Sequence, residues 1–142
     1  MPDVLSLEIV TPERLVVREE VTAVEAPGAN GYLGILPGHA ALLSELGTGF
    51  LNFEAGGKRW YLAVHGGYIE VLDDHVRVLA DGAERAEEID IERAKADMQK
   101  AQEQVFNASL GVDPAIALDA MARAQARLDA AAQKQPEPQQ RQ

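Results

Sequence analysis

Two arginines four residues apart, Arg123 and Arg127, have the spacing in this chain that best suits a chemical task. Residues at this spacing lie on one face of a helix, so two guanidinium groups can grip neighbouring phosphates through their paired N–H donors. Lys100 adds a third positive charge, but a lysine does not offer the planar fork of an arginine. The alternative interpretation is that these are ordinary solvated charges on a helix surface.

Patterns typical of catalysis or metal binding are weak elsewhere. The glycine-rich segment 28–39 lacks the Lys-Ser/Thr ending of a phosphate loop, which favours tight turns over a nucleotide cradle. The chain has no cysteine, and its three histidines have no partner at metal-ligand spacing. The trio Ser44, His65 and Asp73 resembles a catalytic set only by arbitrary choice. We therefore predict no catalytic residue, no metal site and no required cofactor.

The charge of the chain bears on its partners. The 142 residues carry a formal net charge of -10, so the surface repels nucleic acid and anionic lipid headgroups. Residues 1–10 lack the basic and apolar segments of a signal peptide, and no later run reaches the roughly 18 apolar residues of a membrane span. We expect no nucleic-acid partner, and membrane association only through another subunit.

The first part of the chain follows the two-residue period of β-strands. Leu5, Leu7 and Ile9 alternate with polar residues, as in a strand with one buried face. The alternation recurs around 15–17 and 21–24, and a meander of short strands with glycine and aspartate turns follows over 50–80. This pattern predicts an all-β sandwich or barrel over residues 1–86.

The second part, residues 87–133, has the spacing of two helices. Apolar residues three and four apart mark one face of each helix: Ile91, Ala94, Met98, Ala101 and Val105, then Ala117, Met121, Ala124, Leu128 and Ala131. Asp90 and Asp113 can cap the two helices, and Gly111 is predicted to end the first. The short connection predicts an antiparallel α-helical hairpin, loosely held because its seam is rich in alanine. The segment 134–142 is predicted to be a disordered tail.

Three segments resemble one known family when taken in order. Gly31–Ala40 and Val64–Val71 are similar to two signatures of the epsilon subunit of bacterial F-type ATP synthases, the delta subunit in mitochondrial naming. Ala83–Asp90 resembles that family's junction between sandwich and hairpin. The resemblance covers the chain from Leu7 to Leu128.

The resemblance implies a non-catalytic rotor subunit of the central stalk. In that family the sandwich joins the gamma subunit to the ring of c subunits, and the hairpin can extend into the alpha/beta catalytic head and inhibit ATP hydrolysis. The implied location is the cytoplasmic face of the bacterial inner membrane, held there through the complex. The alternative function is a generic interaction adaptor of an unrelated complex, which would not recover gamma or c subunits.

The resemblance also implies two sets of site residues. Contacts with the ring correspond to Gly31, Tyr32, Leu33 and Gly34, and contacts with gamma to His39, although relatives often carry an acidic residue at position 32. A regulatory ATP site of some bacterial members corresponds to Ile89, Asp90, Arg93, Ala94, Arg123 and Arg127. Lys100 departs from this pattern, since an arginine is expected there. A capping aspartate with solvated helix charges remains the alternative.

Overall fold

The computed structural model describes residues 3–133, which form eight strands followed by two helices. The strands are β1 (Leu5–Val10), β2 (Leu15–Val21), β3 (Ala23–Gly28), β4 (Gly31–Ile35), β5 (Leu42–Ala55), β6 (Lys58–Leu72), β7 (His75–Ala80) and β8 (Ala83–Arg85). The helices are α1 (Ile91–Phe106) and α2 (Pro114–Ala132), each preceded by a 3-10 turn, Ala86–Glu88 and Ala108–Leu110. The predicted fold class, a β-sandwich followed by a helical hairpin, is confirmed.

The strands pair in the order β2-β1-β7-β6-β5-β3-β4, with β8 on the first half of β6. All pairs are antiparallel except β1 with β7. The long strand β6 changes neighbours at Gly66 and Gly67, both of which have positive φ. A Cβ built on Gly67 would lie 2.0 Å from the carbonyl oxygen of Leu79, so only glycine fits where β7 crosses.

The core follows from the alternation seen in the sequence. Leu5, Leu7 and Ile9 are fully buried, while Ser6 between them is exposed. Leu51, Phe53, Leu62, Val64 and Ile69 of the two long strands meet them inside. The tight turns also agree with the prediction, because Gly56-Gly57 and Asp73-Asp74 all have the positive φ of a two-residue hairpin turn.

The two helices form successive layers on the sandwich, with α2 next to the strands and α1 outside it. Helix α2 lies on β5 and β6, and α1 packs mainly on α2. We call the sandwich residues beneath α2 the docking face: Phe50, Tyr61, Ala63, Ala86 and Ile89. Ala126 and Ala130 of α2 pack against this face.

Two expectations were wrong in detail. The glycine-rich segment was predicted to be a set of turns, but Gly31–Ile35 forms β4, because it pairs with β3 along its full length. Helix α1 ends at Phe106 and not at Gly111, which instead ends the 3-10 turn in a left-handed conformation. The predicted seam holds for Ala94, Ala101, Ala117 and Ala124, which are buried, whereas Ile91 is 44% exposed.

Candidate functional site

A cavity of about 350 Å³ lies where the sandwich meets the hairpin. Four of the six residues predicted for the nucleotide site line it: Asp90, Arg93, Ala94 and Arg127. Glu84, Glu88 and Asp97 complete the lining. The fold therefore brings together residues from the end of the sandwich, the start of α1 and the second half of α2.

Local capping places the α1 residues of the cavity. The Asp90 carboxylate accepts a hydrogen bond from the Arg93 backbone N–H at 3.1 Å, as an N-cap should. Starting the helix there puts Arg93, Ala94 and Asp97 on one face within its first two turns. Ile89 does not line the cavity, because its side chain is buried in the docking face.

Arg127 is held by a carboxylate of the sandwich. Its Nε donates a hydrogen bond to Oε1 of Glu84 at 2.7 Å, and the same oxygen lies 3.1 Å from Nε2 of His65. The hydrogen bond with His65, followed by that with Arg127, lowers the pKa of Glu84 to about 2. Glu84 thus joins β6, β8 and α2. His65 is 3% exposed, and its Nδ1 has no hydrogen-bond partner among residues 3–133.

Arg123 lies outside the first cavity, in a neighbouring groove of about 250 Å³ between the two helices. Its Nε lies 2.9 Å from Oδ2 of Asp119. Lys100 and Gln104 of α1 line the same groove, and Asp97 and Arg127 belong to both spaces. The cavity and the groove are therefore adjacent, and three basic side chains, Lys100, Arg123 and Arg127, line the groove.

The lining of the cavity contains more acidic side chains than the sequence pattern suggested. Four carboxyl groups and two guanidinium groups line it. Glu88 is paired with Arg14, whose two terminal nitrogens lie 3.1 and 2.9 Å from the carboxylate oxygens, and this pairing lowers the pKa of Glu88. Arg93 makes no ion pair with any residue in the described part of the chain, so its charge is available to a ligand.

Sequence reasoning missed the residues that complete this site. Glu84, Glu88 and Asp97 line the cavity, and His65 and Arg14 hold two of these carboxylates. The pairs span 19 and 74 residues of sequence, so no local spacing could have indicated them. The one indication in the sequence was the similarity of Ala83–Asp90 to the junction between sandwich and hairpin in the family. That similarity assigned no role to Glu84.

The residues predicted to contact partners lie along one edge of the sandwich. Gly31, Tyr32, Leu33 and Gly34 form most of the edge strand β4. The Tyr32 ring packs on Phe50 with centroids 5.5 Å apart. His39 follows in the connection to β5, where Nδ1 lies 2.6 Å from the carbonyl oxygen of Ala40. The Gly38 N–H donates to the Asp74 carboxylate at 2.8 Å, which fixes this connection against the β6–β7 turn.

Comparison with known proteins decides the family. Residues 4–86 match the family described as ATP synthase, Delta/Epsilon chain, beta-sandwich domain, and residues 87–132 match its long alpha-helix domain. The chain belongs to the ATP synthase delta/epsilon family. The ATP synthase epsilon chain of Solibacter usitatus is 60% identical over 134 residues, which span 94% of this chain and 100% of that one. That of Desulforamulus reducens is 50% identical over 107 residues, 75% of this chain and 81% of the relative.

Solved structures resemble this delta/epsilon family member as well. A chain in the cryo-EM structure of the Euglena gracilis mitochondrial ATP synthase, comprising OSCP, F1 and the c-ring, superimposes with a TM-score of 0.73 at 24% identity. The match covers 89% of this chain and 79% of that one, and it concerns the fold alone. The predicted family is confirmed, and it is a family of accessory subunits of ATP synthase.

Two features of residues 3–133 bear on ion and membrane binding. Among residues 3–133, no three His, Cys, Asp or Glu side chains are arranged to hold a metal ion. Neither helix in this part of the chain is both long and apolar enough to cross a bilayer.

Proposed function

We propose that the chain is the epsilon subunit of the central stalk of a proton-translocating F-type ATP synthase. The observation that carries this proposal is the full-length match, at 60% identity, to a protein named ATP synthase epsilon chain. Chains of like fold occur in assemblies described as F1 with c-ring and as central stalk with c-ring. In this role the chain has no catalytic residues of its own. It joins gamma to the c-ring and lies peripherally on the cytoplasmic face of the bacterial inner membrane.

The outer face of the sandwich supports a contact with gamma. Leu43, Tyr68, Leu72 and Leu79 of strands β5, β6 and β7 are exposed, and Tyr68 stands directly opposite Leu79 in the sheet. Exposed apolar groups in such a cluster are typical of a protein interface. The connection that contains His39 is fixed to the β6–β7 turn beside Leu72, so the two surfaces adjoin. We assign this face to gamma and the Gly31–Gly34 edge to the c-ring.

Co-purification tests this assignment. The tagged chain should recover gamma and c subunits from cells, and Leu72→Asp should lose gamma while keeping its folded circular dichroism spectrum. Ile116→Asp is the matched control, because Ile116 is as exposed as Leu72 but lies on the hairpin. Failure of the parent chain to recover either subunit would contradict the proposal.

The packing of the hairpin supports a regulatory movement. Helix α2 meets the sandwich through the small side chains of Ala126 and Ala130, and each buried CH₂ group contributes only about 0.8 kcal/mol. The apolar side chains of Phe106, Leu110 and Ile116 at the far end of the hairpin are exposed in the docked arrangement. We propose that the hairpin can leave the docking face, extend into the alpha/beta head and obstruct ATP hydrolysis.

The truncation of the chain after Asp90 tests this movement within the reassembled enzyme. Hydrolysis should rise, because the obstructing arm is gone while the sandwich and its stalk contacts remain. The matched preparation contains the full chain at the same stoichiometry. Unchanged hydrolysis would show that the hairpin does not inhibit this enzyme.

The adjacent cavity and groove support a regulatory ATP site in the docked hairpin. Among residues 3–133 no ion pair engages the guanidinium group of Arg93, and Lys100, Arg123 and Arg127 line the groove where a polyphosphate would lie. Binding requires Arg127 to share its donors between Glu84 and a phosphate. A ligand at 100 times its dissociation constant stabilises the state it binds by about 2.7 kcal/mol, which is comparable to the small apolar contact beneath α2.

Calorimetric titration of the isolated chain with ATP tests this site. Arg93→Ala and Arg127→Ala should each weaken binding, because each removes a charge-assisted donor to phosphate. Lys95→Ala is the control, since Lys95 lies on the same helix, pairs with Glu92 and lines neither space. If no heat of binding is measured at millimolar ATP, the proposed ATP site is wrong. The assignment as a rotor subunit does not depend on this result.

A further inference from the structure

Three aromatic rings form a continuous row from the edge strand to the docking face of the hairpin. The Tyr32 ring on β4 packs on Phe50 of β5 at 5.5 Å between centroids, and Phe50 packs on Tyr61 of β6 at 5.9 Å. Phe50 and Tyr61 belong to the docking face that receives Ala126 and Ala130. The row therefore connects a residue assigned to the c-ring contact with the surface on which α2 rests.

The sandwich is shaped to hold Tyr32 in this orientation. Tyr32 stands opposite Pro27 in the β3–β4 ladder. A Cβ on Gly49 would lie 3.0 Å from the Tyr32 hydroxyl and 3.2 Å from Cβ of Pro27, so the absence of a side chain at position 49 makes room for the phenol. A larger residue there would require Tyr32 or Pro27 to shift by a few tenths of an ångström.

Tyr32 also lies within the electrostatic reach of α2. Partial burial raises the pKa of its hydroxyl, a backbone hydrogen bond with Phe50 opposes this, and the negative charge of Asp129 on α2 adds to the increase. The ring is nevertheless 48% exposed, so a protein surface that meets β4 can reach it while α2 is docked. One side chain thus faces both the edge of the sandwich and the hairpin.

We infer that Tyr32 is a positioning residue for the docked hairpin, holding Phe50 in place beneath α2, so that any contact made at the β4 edge is thermodynamically linked to hairpin docking. The stability of the docked state depends on the order of the docking face, and Phe50 is the ring that Tyr32 supports. By the reciprocity of linkage, if hairpin docking changes the affinity of a partner for the β4 edge by some factor, binding of that partner changes the docking equilibrium by the same factor. The inference rests on the proposed function for the identity of that partner and for the departure of the hairpin from the docking face.

Thiol labelling of the isolated full chain tests this inference, because the chain contains no cysteine. Ala126→Cys introduces a thiol that is reached only when α2 leaves the sandwich, since Ala126 is 2% exposed. Val78→Cys introduces a thiol in the sandwich core, which reports opening of the sandwich itself. The rate of labelling at each site is proportional to the population of the open state when closing is fast.

We expect Tyr32→Ala to raise the labelling rate at position 126 by about two- to tenfold, the range that loss of an aromatic pair gives, and to leave the rate at position 78 unchanged. Tyr32→Phe keeps the ring and should label like the parent. Tyr68→Ala is the matched control, because Tyr68 is 53% exposed on the opposite surface of the sandwich. Equal rates in Tyr32→Ala and the parent, equal increases in Tyr32→Ala and Tyr68→Ala, or a parallel increase at position 78 would overturn the inference. Failure to recover gamma or c subunits bears on the proposed function and not on this measurement.

Discussion

Glu84 and Arg127 form an ion pair that joins the last strand of the sandwich to the second helix of the hairpin, with Oε1 and Nε 2.7 Å apart. The pair is partly exposed, and the same carboxylate oxygen is also within hydrogen-bonding distance of the buried His65. One carboxylate therefore connects the helical hairpin to the buried interior of the sandwich.

We predict a measurable coupling between Glu84 and Arg127. In a double-mutant cycle of Glu84→Ala and Arg127→Ala, the coupling free energy of hairpin docking should be about 1 kcal/mol, because both side chains are partly screened by water. The thiol introduced by Ala126→Cys provides the measurement. Additive effects of the two substitutions would mean that the pair contributes nothing to docking. Arg123→Ala is the control, since Arg123 pairs within α2 and not with the sandwich.

Acid should weaken the fold through Glu84. Its pKa is about 2 in the folded chain against an ordinary value of 4.5, so the unfolded chain takes up this proton at a higher pH than the folded chain. The resulting stabilisation is complete above pH 4.5 and is lost as the pH falls towards 2. Urea unfolding at about pH 6 and about pH 3 should show a smaller difference in the free energy of unfolding for Glu84→Gln than for the parent chain.

Glu8 and Glu88 also make the fold less stable in acid, and both residues remain in the Glu84→Gln variant. Hydrogen bonds from Arg18 and Arg14 respectively lower the pKa of these carboxyl groups. The variant should therefore retain part of the acid sensitivity. An identical pH dependence in Glu84→Gln and the parent would show that Glu84 does not contribute.

Removal of the N-cap of α1 should destabilise the hairpin. Asp90→Ala leaves the Arg93 N–H without its carboxylate partner, and loss of such a cap costs about 1 kcal/mol. Asp90→Asn should restore most of the helix stability, because asparagine is an equally good cap. Amide exchange of the first turn of α1 is the measurement. Asp113→Ala offers the corresponding change on α2, where Asp113 accepts from Ala115 N at 2.8 Å.

A methyl group at Gly67 should disrupt the sandwich. The added Cβ would lie 2.0 Å from the Leu79 carbonyl oxygen, and the backbone φ of +123° is unfavourable for any other residue. We expect Gly67→Ala to lower the free energy of unfolding by at least about 3 kcal/mol, measured by urea denaturation. Gly57→Ala should cost only about 1 kcal/mol, because Gly57 also has positive φ but has no atom within 4 Å of the added group. Similar losses in both variants would contradict the steric explanation.

The elements that follow a regular period could be predicted from sequence, and those that depend on distant pairing could not. The meander over 50–80 and the two capped helices were evident because alternation, turn residues and caps act locally. Strand β4 was missed because Gly31 and Gly34 suggest turns, and only the pairing with β3 makes them extended. The first helix was extended too far because Gly111 is a good terminator, but the chain leaves the helix already at Asn107.

The site followed the same division. Asp90, Arg93, Ala94 and Arg127 were predicted to act together, and the structure places them around one cavity. Glu84, Glu88 and Asp97 of the cavity were not predicted, and Glu84 reaches Arg127 across 43 residues of sequence. An ion pair between residues so far apart produces no regular spacing in the sequence.

The parallel pairing of β1 with β7 has a consequence for how the chain is made. Leu7 and Ile9 find their neighbours Val76 and Val78 only after most of the sandwich has been synthesised, whereas the helical hairpin needs only contacts between residues close in sequence. In a growing polypeptide, β1 therefore lacks its neighbour on one side until β7 has left the ribosome. The helical hairpin follows β7 along the chain, so it is made only after the strand that completes the sandwich has been synthesised.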